Sequence, residues 1–310
     1  MTRFGFIILC VQLLEFNYTT SMTESEIRNI INNHYRQLNK FIRKVNKHFE
    51  PESIHRLRVE YKKLRAFLRM ISVENDCGKK IKISKKLKNA YHVAGEIRDL
   101  QLQHQRMLAI KTKEINPTGA YHQLLERNIN KLKGEFASIS LKKAINKSIK
   151  KAKVLDGKKI NSICGVKFIE DNCAAIVAII ISGNFTDANM HVIRKRLKDV
   201  FYTIHVFEDA KNELKFCGSA ITKAEMEYFD GLLEELGNFQ DQITSLALLN
   251  DEWLNLLSTD DRQVLIAIKD KFSSDKNAIK NGIVIKLQSE IRPHLQIFSR
   301  LFSAPGISFT

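Results

Sequence analysis

The order His-x-x-Arg-x-x-x-Lys is written twice in this chain, as His55, Arg58, Lys62 and as His191, Arg194, Lys198, each time six residues after a phenylalanine, Phe49 or Phe185. Each copy heads an amphipathic run. A weaker echo follows each copy: Gly95-Glu-Ile-Arg98-Asp99 in the first half and Gly237-Asn-Phe-Gln240-Asp241 in the second. Repetition of both order and spacing constrains the fold to two copies of one supersecondary unit. Packing alone accounts for a repeated apolar pattern, whereas a repeated cationic frame places positive charge at corresponding points of two units.

At about 100° per residue, Arg58, Lys62, Arg65 and Arg69 fall within an arc of roughly 80° from His55, because offsets of 3, 7, 10 and 14 follow the α-helical turn. They form one stripe. Ile54, Leu57, Tyr61, Leu64, Phe67, Leu68 and Ile71 collect on a broad face away from it, so the helix buries one side and presents the other. In the second copy Arg194 and Lys198 keep their places, but Phe201 and His205 stand where Arg65 and Arg69 would be. The second stripe is weaker.

Helical periodicity accounts for nearly all of the chain, with helices expected at about 23–48, 52–73, 79–112, 118–154, 166–183, 187–208, 221–256 and 262–302. Eight helices make two sets of four. Thr23 with Glu26 reads as a capping box, Pro51 as a first-turn residue, and Thr186-Asp187 as the start of the corresponding second-half helix. Asn116-Pro-Thr-Gly119 reads as a turn, and Asp156-Gly-Lys-Lys-Ile-Asn-Ser162 separates the halves. Residues 174–181, Ala-Ala-Ile-Val-Ala-Ile-Ile-Ile, imitate a buried strand, but their place in the repeat makes them a buried helix. The expectation is an all-α fold of two four-helix bundles related by an internal pseudo-two-fold. Residues 1–22 form an extension, 23–155 the first bundle, 166–302 the second, and 303–310 a tail.

Residues 1–160 hold 34 Lys and Arg against 14 Asp and Glu, a balance of +20, while 161–310 hold 16 against 20, a balance of −4. The excess of +16 therefore comes from the first half, and a field of that size captures polyanions in a salt-dependent way. Nucleic acid, an anionic membrane and inorganic phosphate chains all fit. Five cysteines without CxxC pairing suit free thiols and a cytoplasmic setting. Residues 5–14 resemble a poor signal-peptide core, too short for a span, and the domain is expected to begin near Met22. No other segment is long and apolar enough for a bilayer.

Catalytic patterns are missing: no Gly-rich phosphate loop, no carboxylate cluster for two metals, no HExxH, and no His spacing for a metal. The expectation is a binding protein rather than an enzyme, with no cofactor or metal. Arg and Lys supply the charge-assisted donors that phosphate oxygens take, and His adds a donor when protonated. Asp99 and Asp241 read as carboxylates that orient those cations, or as caps and pairs within a bundle. Cations are not interleaved with aromatic residues as in single-strand readers, and no helix-turn-helix is visible. A solvated face remains an alternative for Arg36, Lys40, Arg43 and Lys47, and for the lysine runs at 79–88 and 142–159.

The segments HRLRVEYKKLRAFLRM at 55–70 and GEIRDL at 95–100, with HVIRKRLKDVFY at 191–202 and LGNFQD at 236–241, resemble the CHAD domain, the conserved-histidine α-helical domain. The resemblance covers roughly 23–302. It implies two four-helix bundles with a basic pocket between them that binds inorganic polyphosphate. His55, Arg58, Lys62, Arg65 and Arg69, with His191, Arg194 and Lys198, would fall on the anion-binding positions, supported by Arg98, Asp99, Asp241 and Tyr202. Departures lie in the second half: Asp199 and Phe201 stand at places often basic, and Arg-Asp becomes Gln240-Asp241. The first bundle is thus the expected main anchor, with nonspecific nucleic-acid binding or a scaffold role as the alternative function.

Overall fold

The computed structural model describes residues 21–72, 82–110, 119–152, 160–161, 163–209, 215–216, 219–220 and 223–291. Residues 1–20 of the expected extension, Lys79 and Lys80, the turn at 116–118, most of the 156–162 connection, residues 292–302 and the 303–310 tail lie outside them. Ten helices are present among the described residues: α1 (Glu24–His48), α2 (Pro51–Met70), α3 (Lys85–Ala109), α4 (Gly119–Ser138), α5 (Leu141–Ala152), α6 (Ile163–Ser182), α7 (Asp187–Asp209), α8 (Lys223–Ala247), α9 (Asp251–Leu254) and α10 (Thr259–Ile291). Extended structure there is limited to two-residue pieces, of which Lys215–Phe216 and Ser219–Ala220 pair antiparallel. The protein is all-α, as its periodicity requires.

The start of α1 is the expected capping box. Thr23 Oγ1 accepts from the Glu26 amide at 3.3 Å, and the Glu26 carboxylate accepts from the Thr23 amide at 2.7 Å. The helix then buries Ile27, Ile31, Tyr35, Leu38, Ile42 and Val45 and leaves Arg36, Lys40, Arg43 and Lys47 exposed. It ends at Phe49, whose φ of 52° lies in the left-handed region that non-glycine residues rarely adopt. Two contacts hold it there: Gln101 Nε2 donates to the Phe49 carbonyl at 2.9 Å, and the Phe49 ring meets Phe136 edge-on at 5.8 Å. Pro51 opens α2 two residues later, and all seven residues expected on its apolar face are buried. His34 Nδ1 lies 2.7 Å from the Glu60 carboxylate, joining α1 to α2.

Three boundaries differ from those periodicity suggests, each for a local reason. The helix expected at 118–154 is two helices: the Ile139 amide closes a tight turn on the Phe136 carbonyl, Ser138 Oγ donates to the Glu135 carbonyl, and α5 restarts at Leu141. The third helix starts at Lys85 because Ser84 Oγ caps it, accepting from the Leu87 amide. The run expected at 221–256 ends at Ala247, and Asn250 then caps the short α9 through the Trp253 amide. The β-branched stretch 174–181 is helical, inside α6.

The chain packs as two compact units that do not follow the sequence halves. The first comprises Met22–Ile160 and Gln240–Asn277, and the second Met1–Ser21, Asn161–Phe239 and Ala278–Thr310. In the first, α1 packs on α2 and α5, and α3 packs on α2, α4 and α5. Residues 240–277 join this unit through polar and aromatic contacts. Tyr121 Oη, on a fully buried ring, donates to the Leu248 carbonyl at 2.9 Å and accepts from Gln103 Nε2 at 3.2 Å, while Trp253 meets the Tyr121 ring edge-on at 6.3 Å. In the second unit α6 packs on α7, and Asp187 near the start of α7 accepts from Lys280 at 2.7 Å.

The charge asymmetry of the sequence halves persists between the units, although it narrows. The first unit holds 37 Lys and Arg against 20 Asp and Glu, a balance of +17; the second holds 13 against 14, a balance of −1. Among the described residues no helix is long and apolar enough to cross a membrane.

Candidate functional site

On α2 the cationic stripe grades from exposed to half-buried. His55 is exposed on the first turns, and Arg58, Lys62, Arg65 and Arg69 are half-buried along about 16 Å of helix.

Arg58 is seated against α3. Its Nη1 donates to the Tyr91 carbonyl on α3 at 3.3 Å, and its Cζ lies 4.9 Å from the centroid of the Tyr91 ring. That ring is stacked at 4.2 Å and 17° on Tyr61, a buried residue of α2 itself. The guanidinium therefore rests on a fixed aromatic platform. Burial, opposed by the nearby Arg65 and Arg69 charges, raises the Tyr61 hydroxyl above its ordinary value, so Tyr61 is neutral at physiological pH. Arg65 carries a buried Nε with no hydrogen-bond partner, a donor turned away from water and still unmatched.

The two echoes meet here in an unexpected way. Asp99 of the first and Asp241 of the second belong to the same unit and interact electrostatically. Burial is the largest influence on Asp99 and lifts its carboxyl above the usual range; Arg58 and Lys62 pull it down, and Asp241 and Glu96 push it up. Arg98 is held below the usual guanidinium value, chiefly by burial, against the favourable charges of Asp241, Glu52 and Asp99. Asp241 is gripped by a residue the motifs do not include: Arg106 Nη1 donates to the Asp241 carbonyl at 2.7 Å and also to Ser245 Oγ, and its Nη2 lies 3.4 Å from the carboxylate. The cluster thus mixes Arg58, Lys62, Arg98 and Arg106 with two carboxylates. Asp99 and Asp241 limit the mutual repulsion of these cations.

In the second unit, His191 is exposed and Arg194 and Lys198 are half-buried on α7. The positions equivalent to Arg65 and Arg69 are occupied by an aromatic pair: the Phe201 and His205 rings lie 4.3 Å apart, and His205 Nδ1 sits 3.1 Å from the Phe201 carbonyl. Asp199 and Tyr202 are buried, at 5% and 7% exposure. Gly237 on α8 lies near Arg194, whose Nη2 would be 3.8 Å from a Cβ at that position. This frame carries fewer cations in a unit with no excess charge.

Tyr91 and Arg106 are the neighbours that the motifs failed to single out. Tyr91 is four residues before Gly95, one helical turn, but nothing in the pattern separates it from a core aromatic. Arg106 lies seven residues after Asp99, two turns along the same face of α3, which is the one signal that could have found it. Among the described residues no cluster of three or more His, Cys, Asp or Glu side chains is arranged to hold a metal ion.

An all-α protein whose two units each carry a cationic His-Arg-Lys frame, with the Arg set beside a glycine of another helix, is in class a helical domain built on a repeated cationic frame. The model of the CHAD domain matches residues 29–250, and the chain belongs to that family. Its fold is similar to the crystal structure of the CHAD domain from the plant Ricinus communis, with a TM-score of 0.64 at 17% identity, covering 88% of this chain and 95% of that one. PptA from Streptomyces chartreusis is similar with a TM-score of 0.57 at 12% identity, over 86% of this chain and 99% of that one. No curated protein matches by sequence.

Proposed function

We propose that this chain binds inorganic polyphosphate, without turning it over, on the cationic face of α2, as a cytoplasmic protein. The observation that carries the reading is the seated Arg58, held against α3 in line with Lys62, Arg65 and Arg69. A guanidinium fixed by an aromatic platform and a carbonyl loses little freedom when it meets an anion, which favours binding. A phosphate chain is an unbranched run of oxygen acceptors with negative charge on every unit and no base to read. A line of Arg and Lys in a unit of balance +17 complements that chemistry. His191, Arg194 and Lys198 provide a weaker set for additional phosphates.

One observation favours a wider polyanion. Residues 27–49 carry six Lys and Arg and no acid, and residues 141–152 carry five and no acid, on α1 and α5, which pack together. Nine of those cations are exposed. Duplex nucleic acid would lie on such a surface nonspecifically, with a strong salt dependence.

A competition titration separates the two readings. Long polyphosphate, orthophosphate and duplex DNA are titrated against the protein at matched phosphate concentration and several salt concentrations. Polyphosphate should displace DNA at much lower phosphate-equivalent concentration, and replacing Arg58, Lys62 and Arg65 with Ala should abolish most of that advantage. DNA competing equally per phosphate, with those substitutions weakening both alike, would leave a general basic surface as the better account.

A further inference from the structure

Glycine in the middle of a helix is disfavoured relative to alanine, because it loses more backbone freedom on folding and brings no side chain to pack. Gly95 sits in the interior of α3, is buried, and has ordinary helical geometry with no positive φ. Its backbone therefore makes no demand that alanine could not meet. The space around it does. A Cβ built at Gly95 would overlap Arg58 Nη1 outright and lie 2.9 Å from Cζ and 3.3 Å from Nη2. The missing side chain is the seat of the Arg58 guanidinium, with the Tyr91 carbonyl and ring forming the adjoining side.

We propose that Gly95 is a positioning residue for anion binding: its bare backbone lets the Arg58 guanidinium lie flat against α3, in line with Lys62 and Arg65. The proposal rests on the polyphosphate reading of α2. Because the clashing atoms are the far end of a flexible side chain, an added methyl displaces Arg58 rather than the helix. Gly95→Ala should thus separate two properties that ordinarily fall together, leaving the fold intact while weakening binding. The second unit supplies its own control. At Gly237 an added Cβ would stand 3.8 Å from Arg194 Nη2, ordinary van der Waals contact, with no other atom close. Gly237→Ala has room for its methyl and should leave Arg194 where it is.

The experiment measures affinity for long-chain polyphosphate by anisotropy, together with thermal melting, for the full chain and for Gly95→Ala, Arg58→Ala, the double variant and Gly237→Ala. Arg58→Ala should weaken binding about 5-fold, the loss of one charge-assisted contact. Gly95→Ala should reproduce most of that loss with no fall in melting temperature, and Gly237→Ala should stay within about 2-fold of the unsubstituted chain. The double variant should bind like Arg58→Ala alone, since Gly95 acts only through Arg58; with the guanidinium gone, the methyl has space whatever the single variant does. Two results overturn the proposal: Gly95→Ala retaining full affinity while Arg58→Ala loses it, or the double variant binding more weakly than Arg58→Ala. Arg58→Ala binding like the unsubstituted chain overturns instead the polyphosphate reading of α2.

Discussion

Replacing Arg58, Lys62 and Arg65 together by Ala should cost polyphosphate affinity more than replacing Arg194 and Lys198. Each charge-assisted contact to a phosphate oxygen from a half-buried cation contributes about 1 kcal/mol once solvent screening is allowed for. The triple substitution then costs about 3 kcal/mol, roughly 100-fold in Kd. The pair on α7 would cost at most about 2 kcal/mol by the same arithmetic, and less in practice, because its unit balances at −1 while that of α2 balances at +17. A loss of roughly 10-fold is the expectation there. Salt dependence gives an independent count. At roughly 0.7 counterions released per contact with a single-stranded polyanion, the slope of log K against log salt should flatten by about 2 for the triple variant and by about 1.4 for the pair. Fluorescence anisotropy with labelled long-chain polyphosphate at four salt concentrations measures both quantities, with melting curves to exclude unfolding. Equal losses at one salt concentration, or a larger loss from Arg194 and Lys198, would refute the reasoning, since the charge of the surrounding unit would then not decide which frame anchors the chain.

Tyr121→Phe removes the hydroxyl that links Gln103 to the Leu248 carbonyl in a fully buried setting, and should lower the unfolding free energy by about 1–3 kcal/mol in urea titrations. A change below about 0.5 kcal/mol would show that this link does little to fasten residues 240–277 to the first unit. Asp99→Asn should stabilise the protein at neutral pH. Because burial raises the Asp99 carboxyl above its ordinary value of 3.8, ionisation opposes folding; the penalty is complete above the folded-state value and gone below the ordinary one. The gain of the Asn variant should therefore shrink as pH falls towards 3.8, and a variant less stable at neutral pH would mean that the attraction of Arg58 and Lys62 outweighs burial.

Much of this molecule was legible in its sequence because helices announce themselves locally. The Thr23 capping box, the Pro51 start and the apolar face of α2 depend on residues within a few turns of one another, so periodicity and capping chemistry suffice to place them. The same holds for the stripe of Arg58, Lys62, Arg65 and Arg69, whose alignment is fixed by the helical pitch, and for the charge excess, which is a count. Where local competition was subtle, side chains bonding to nearby backbone broke runs that periodicity would have continued: Ser138 at the end of one helix, and Asn250 at the start of a new one.

What periodicity does not carry is which faces meet. Gly95 stood out in the sequence as part of an echo, but its purpose appears only when Arg58, 37 residues earlier, is seen lying in the space a side chain would fill. Asp241 read as the second-half counterpart of Asp99. Packing brings the two together in one unit, with Arg106 as a partner 135 residues distant from Asp241. The division of the chain is likewise a tertiary matter: Gln240–Asn277 leaves its sequence half because Tyr121 and Arg106 of the first unit engage the backbone of that segment. A sequence specifies the surface of each helix through short-range geometry. The pairing of those surfaces depends on long-range burial and on donors finding acceptors across the chain, and that was settled only by the folded structure.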